Sequence, residues 1–89
     1  STHGVFQMDV VLDGDEVRLT VREFELLWHL IINRPRVATR EQILERVWGI
    51  SSEVETRTVD VHIRSLRTKV GSDAIETIIG AGYRFRGYR

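Results

Sequence analysis

The segment from Thr56 to Lys69, Thr-Arg-Thr-Val-Asp-Val-His-Ile-Arg-Ser-Leu-Arg-Thr-Lys, constrains this chain more than any other, because its two faces require different surroundings. Wound at about 100° per residue, Val59, Ile63, Leu66 and Val70 line one stripe, while Arg57, Thr58, Val61, Arg64, Ser65 and Thr68 point the opposite way. One side demands a protein core; the other offers cations, hydroxyls and a single valine. A solvated helix face ordinarily mixes both charge signs. Here Asp60 is the one acid against Arg57, Arg64, Arg67 and Lys69, a local excess of +3 that suits phosphates.

The net charge of zero, from 13 basic and 13 acidic residues, argues at first against a polyanionic partner. The mean hides a gradient. Residues 1–56 hold six arginines against ten acids, a net −4, whereas residues 57–89 hold seven Arg and Lys against Asp60, Asp73 and Glu76, a net +4. Such asymmetry between halves points to a polyanion on one side of the molecule, although an unevenly charged solvated surface is the plainer alternative.

With 89 residues and 42% apolar content the chain can bury one small core, so a single domain is expected over 5–89. Ser1 to Gly4 is polar and without pattern, and reads as a linker remnant. There is no cysteine, which removes disulfides, thiolate chemistry and Cys-containing zinc sites. No apolar run approaches the ~18 residues of a membrane span and no signal-peptide pattern opens the chain, so a soluble intracellular domain is expected.

Local signals order the elements. From Val5 to Leu19, β-branched and apolar residues interrupted by Asp13-Gly14-Asp15 predict two or three short strands. Thr20 with Glu23 forms a capping box that opens a first helix, with Val21, Phe24, Leu27, Trp28 and Ile31 at helical spacing, running to about Asn33 before Pro35. A second box, Thr39 with Gln42, opens a shorter helix with Ile43, Leu44, Val47 and Trp48 on its apolar side and Gly49 at its close. After the amphipathic third helix and Gly71-Ser72-Asp73, the run Ile75 to Arg86 predicts a hairpin, its loop flanked by Gly80 and Gly82 as positions needing positive φ. Its second arm, with Arg84, Arg86 and Arg89 beside Tyr83, Phe85 and Tyr88, extends the basic surface of the helix before it.

Strands, helix, helix, turn, helix and hairpin define an α+β winged helix-turn-helix: an N-terminal antiparallel sheet, three helices and a C-terminal β-hairpin wing. Four ordered motifs, Leu19-Thr-x-x-Glu-Phe-x-Leu-Leu, Arg40-Glu-Gln-Ile-Leu-Glu-x-Val-Trp-Gly, Arg57-Thr-Val-Asp-Val-His-Ile-x-x-Leu-Arg-x-Lys and Gly80-x-Gly-Tyr-Arg-Phe, closely resemble the effector domain of OmpR/PhoB-type response regulators over about Val5 to Arg86. These are bacterial, cytoplasmic transcription factors governed by phosphorylation of a separate receiver domain. The resemblance implies a four-stranded N-terminal sheet, a third helix in the major groove of double-stranded DNA and a wing at the neighbouring minor groove.

Carried over by position, it implies DNA contacts from Arg57, Thr58, Val61, His62, Arg64, Ser65, Arg67 and Thr68 on the third helix, from Thr77 and Arg84 on the hairpin, and from Trp48. It further implies a second copy on an adjacent half-site, and a loop comprising Gly49, Ile50, Ser51, Ser52, Glu53, Val54 and Glu55 that meets RNA polymerase. Two positions depart from the family. Several members carry a basic residue where this chain has Ser65, and many carry an arginine where it has Ile79, leaving Arg84 or Arg86 as partial substitutes.

The residues also admit plainer roles. Burial with a polar rim is the main role expected of Trp48, beside a phosphate contact through its indole N–H. His62, at the border of the two faces, fits a packed neutral ring as well as a phosphate donor. His3, His29 and His62 make no metal-ligand spacing, and no cofactor is expected. An outward valine among arginines has no packing reason at position 61, whereas a thymine methyl supplies one. Enzyme chemistry is not expected: there is no Gly-rich phosphate loop, paired-carboxylate motif or cysteine nucleophile, and Asp60 and His62 do not face each other on a helix. The alternative reading is a protein-interaction module that uses the fold without DNA.

Overall fold

The computed structural model describes residues 7–12, 14–49 and 55–87. The expected tail at 1–4, the strand start at Val5, and Arg89 lie outside the described residues.

Strands β1 (Gln7–Leu12) and β2 (Asp15–Thr20) pair antiparallel, Gln7 opposite Thr20 and Leu12 opposite Asp15. The N-terminal sheet therefore has two strands among the described residues, where the family resemblance implied four. Alternation places Val10, Leu12, Val17 and the fully buried Leu19 against the helices.

Helix α1 (Val21–Asn33) begins at the expected capping box: the Thr20 hydroxyl accepts from the Glu23 N–H at 3.1 Å, and a Glu23 carboxylate oxygen accepts from the Thr20 N–H at 2.9 Å. Its buried stripe differs from the one expected. Leu26, Leu27 and Leu30 are buried, with Glu23 and His29 beside them, whereas Trp28 is 55% exposed and stacks on Phe24 with ring centroids 6.5 Å apart. Apolar residues spread over roughly two-thirds of the circumference of this helix, so spacing alone does not select which part of that broad face turns inward.

After the two-residue strand β3 (Ala38–Thr39), a second capping box, Thr39 with Gln42, starts α2 (Arg40–Ile43). The expected continuous helix is α-helical for four residues only; it widens into a π-helical turn over Leu44–Trp48. Arg22 of α1 donates to the Val47 carbonyl there, and Gly49 ends the turn at φ 90°.

Helix α3 (Arg57–Val70) seats Val59, Ile63 and Leu66, all 1% exposed or less, in the single core. A 3-10 turn over Ser72–Ala74 leads to the hairpin of β4 (Ile75–Ile78) and β5 (Gly82–Phe85). β5 is the middle strand of a second sheet, with β3 on one side and β4 on the other. Of the two glycines expected to need positive φ, only Gly80 has it, at 81°. Gly82 serves another purpose: a Cβ there would lie 2.1 Å from the Ala38 carbonyl oxygen, so only glycine allows β3 to pair with β5.

Candidate nucleic-acid interface

Opposite the buried stripe of α3, Arg57, Val61, Arg64 and Thr68 are exposed, Val61 by 58%. Among the described residues Arg64 has no ion pair, and Arg57 reaches only the field of Asp60. Thr58 is half-buried in the first turn, where its N–H donates to the Glu55 carbonyl at 2.9 Å.

Asp60 explains why one acid sits among so many cations. Its Oδ1 accepts from Arg40 Nε at 2.8 Å and from the Tyr83 hydroxyl at 2.5 Å, tying α3 to α2 and to β5. Burial raises its pKa, but the Tyr83 and Arg40 hydrogen bonds outweigh that and hold the carboxyl below its ordinary value. Burial, then the hydrogen bond to Asp60, pushes the Tyr83 hydroxyl up, so it remains a donor. Arg40 and Arg67 flank the Tyr83 ring at 5.5 and 5.7 Å from its centroid. Arg40 and Tyr83 were not among the expected site residues, although Arg40 and Tyr83 both fall within the quoted family motifs.

Several side chains expected to meet DNA are engaged within the protein instead. Ser65 donates its hydroxyl to Glu23 Oε2 at 2.6 Å, so it faces α1. At 100° per residue Ser65 lies at the rim between the two stripes, and the buried carboxylate draws it inward. Lys69, counted in the basic excess, donates to Glu23 Oε1 at 2.8 Å. Arg67 donates to the Ile75 carbonyl at 2.7 Å and to the Thr77 hydroxyl at 2.7 Å, so it clasps the hairpin and occupies Thr77 as well. Thr68 donates to the Ser65 carbonyl at 2.6 Å. Arg84 is paired with Glu76 across the hairpin at 2.9 Å.

Trp48 is half-buried, edge-on to the His62 ring at 4.9 Å and beneath the Arg22 guanidinium at 5.3 Å. His62 Nδ1 lies 3.0 Å from the Thr58 carbonyl, which can only accept, so Nδ1 carries the hydrogen. A neutral His62 then presents Nε2 as an acceptor, and donation to a phosphate requires the doubly protonated ring. In the loop expected to meet polymerase, Gly49 and Glu55 are exposed, while Ile50, Ser51, Ser52, Glu53 and Val54 lie outside the described residues. Among the described residues no group of His, Asp and Glu could hold a metal ion, and no helix is long and apolar enough to cross a membrane.

A helix-turn-helix braced by a β-hairpin, with a buried stripe and an opposed cationic stripe on its third helix, defines a winged-helix effector module. Residues 14–85 match the family described as transcriptional regulatory protein, C terminal. The chain is 50% identical over 82 residues to the response regulator ArlR of Staphylococcus haemolyticus, covering 88% of this chain and 37% of that protein. It thus spans little more than a third of the curated relatives it matches. The Thermotoga maritima response regulator DrrB, an OmpR/PhoB homologue, superposes with a TM-score of 0.77 at 38% identity, covering 90% of this chain and 38% of that one. The DNA-binding domain of Klebsiella pneumoniae RstA, solved with its RstA box, gives a TM-score of 0.73 at 25% identity over 93% of this chain and 97% of that one. The chain belongs to this family: it is a response-regulator effector domain of the DNA-binding, transcription-regulating type, and not an enzyme.

Proposed function

We propose that this domain reads double-stranded DNA by laying α3 in the major groove, with the β4–β5 wing over the adjacent minor groove. The observation that carries this reading is the exposed stripe Arg57, Val61, Arg64 and Thr68, which faces directly away from the buried Val59, Ile63 and Leu66. A helix fits the major groove, and arginines flanking one apolar side chain supply phosphate contacts, a guanine-edge donor and a thymine-methyl contact. Arg57 at the helix start positions the domain on the backbone; Val61 and Arg64 read bases; Thr58 and His62 line the entry side beside Trp48. Arg67 acts by holding Thr77 and the wing against α3, and Arg84 by pairing with Glu76 across the two strands of the wing.

In the intact protein the domain is the cytoplasmic output of a two-component regulator, controlled by a receiver domain, paired with a second copy on adjacent half-sites and touching RNA polymerase through the Gly49–Glu55 loop. The family match and the short span of the relatives covered support the regulatory role and the receiver domain. Sites selected from a random duplex pool, then titrated by mobility shift in rising salt, test the reading. Log affinity should fall steeply and linearly with log salt for selected sites; binding that ignores salt would instead indicate a protein-interaction module.

A further inference from the structure

The wing tip is Ile79-Gly80-Ala81, and Ile79 is 95% exposed, the most exposed of the large apolar side chains described. The turn is held by the Ala81 N–H donating to the Ile78 carbonyl at 2.9 Å, with Gly80 at φ 81°. No side chain in this loop carries a charge or a hydrogen-bonding group. The neighbouring cations are engaged: Arg84 with Glu76, and Arg67 with the Ile75 carbonyl and Thr77. The Arg86 N–H bonds the Ala74 carbonyl at the base of the hairpin, on the order of 13 Å of strand from the tip. The tip itself is therefore apolar, with Arg84 held by Glu76 and the Arg86 backbone anchored at the base of the hairpin.

We propose that Ile79 is a specificity-determining residue that reads the minor groove sterically, favouring A·T over G·C beneath the wing. The proposal rests on the docking described above. The floor of the minor groove carries acceptors at A·T pairs, and a guanine N2 amino group projects from it at G·C pairs. Isoleucine can satisfy neither, but over A·T it covers a smooth floor, whereas over G·C it meets the amino group and strips its water without replacing the hydrogen bond. Apolar side chains reach into minor grooves elsewhere for the same reason. A cationic tip would add affinity at every sequence; this tip adds selectivity with little salt dependence.

Duplexes carrying a pool-selected half-site, with the pairs flanking the α3 footprint changed singly from A·T to G·C or to inosine·C, test this directly. Inosine lacks the N2 amino group, so its minor groove resembles A·T while its major groove resembles G·C. For the wild-type domain G·C at one flanking position should weaken binding by about fivefold, and inosine·C should restore it. Ile79→Ala should reduce that discrimination below about twofold, and Ile79→Arg should bind all three more tightly with a salt slope steeper by about one. At 95% exposure neither change touches the core. Uniform binding of the three duplexes, or inosine·C behaving as G·C, overturns the proposal while leaving the docking intact. Salt-insensitive or absent binding to all three overturns both.

Discussion

Glu23 is 4% exposed, yet each carboxylate oxygen has a donor: the Thr20 N–H and Lys69 on one, Ser65 on the other. Burial pushes its pKa up, but the hydrogen bonds from Lys69, Ser65 and Thr20 more than reverse that, leaving it below the usual glutamate value. A carboxyl depressed in the folded state stabilises the fold above its unfolded pKa of about 4.3, and that contribution is lost as pH falls through the lower folded value. Thermal melts in acid should therefore show stability falling over that window, with a flatter limb in Glu23→Gln; Asp60, shifted the same way, keeps some slope in both proteins. An identical acid limb in the two proteins would exclude Glu23 as a contributor. Val61→Ser addresses the opposite face. Binding should fall by on the order of 1 kcal/mol, only at sites with thymine at one position, with the melting temperature nearly unchanged. A melting temperature that drops while base preferences hold would make Val61 a packing residue.

At the scale of elements, α3 and the wing form one unit because Arg67, Tyr83 and Asp60 bind them together. Arg67→Ala removes donors from the Ile75 carbonyl and Thr77, so it should cost about 1–2 kcal/mol of stability and leave the salt slope of DNA binding unchanged. A slope flatter by about one would mean that the guanidinium lets go of the hairpin to meet a phosphate. These ties also mark what was legible beforehand. The capping boxes at Thr20 and Thr39 were readable because a cap is made by residues three apart. The inward turn of Ser65 and the clasp of Arg67 were not, since each depends on how another element packs against α3: Glu23 lies 42 residues before Ser65, and Ile75 belongs to the strand that follows the turn after α3. On α1, Trp28 keeps helical spacing with Phe24 and Ile31 yet stands 55% exposed, because periodicity cannot rank the two edges of a broad apolar face. Gly82 is similar: a glycine beside a loop suggests positive φ, and only the approach of Ala38 shows that the lost Cβ matters instead.

For the whole molecule, a single winged helix buries about 600–1,000 Å² on DNA, which gives modest affinity, so tight binding is expected only when two copies occupy neighbouring half-sites. Titrating probes with one and two half-sites checks this; equal affinity would rule out cooperative pairing. The arrangement of the two tryptophans has an optical consequence. Trp28 stands in water on α1, on the side of that helix opposite Glu23, which faces α3, whereas Trp48 is wedged between Arg22 and the His62 of α3. The intrinsic fluorescence of the domain is thus the sum of one emitter indifferent to the duplex and one placed to sense it. Trp28→Phe should silence the first while keeping an aromatic partner for Phe24. The remaining emission should shift when selected DNA is added, and a spectrum that does not move would place the duplex away from the seam between the π-helical turn and α3.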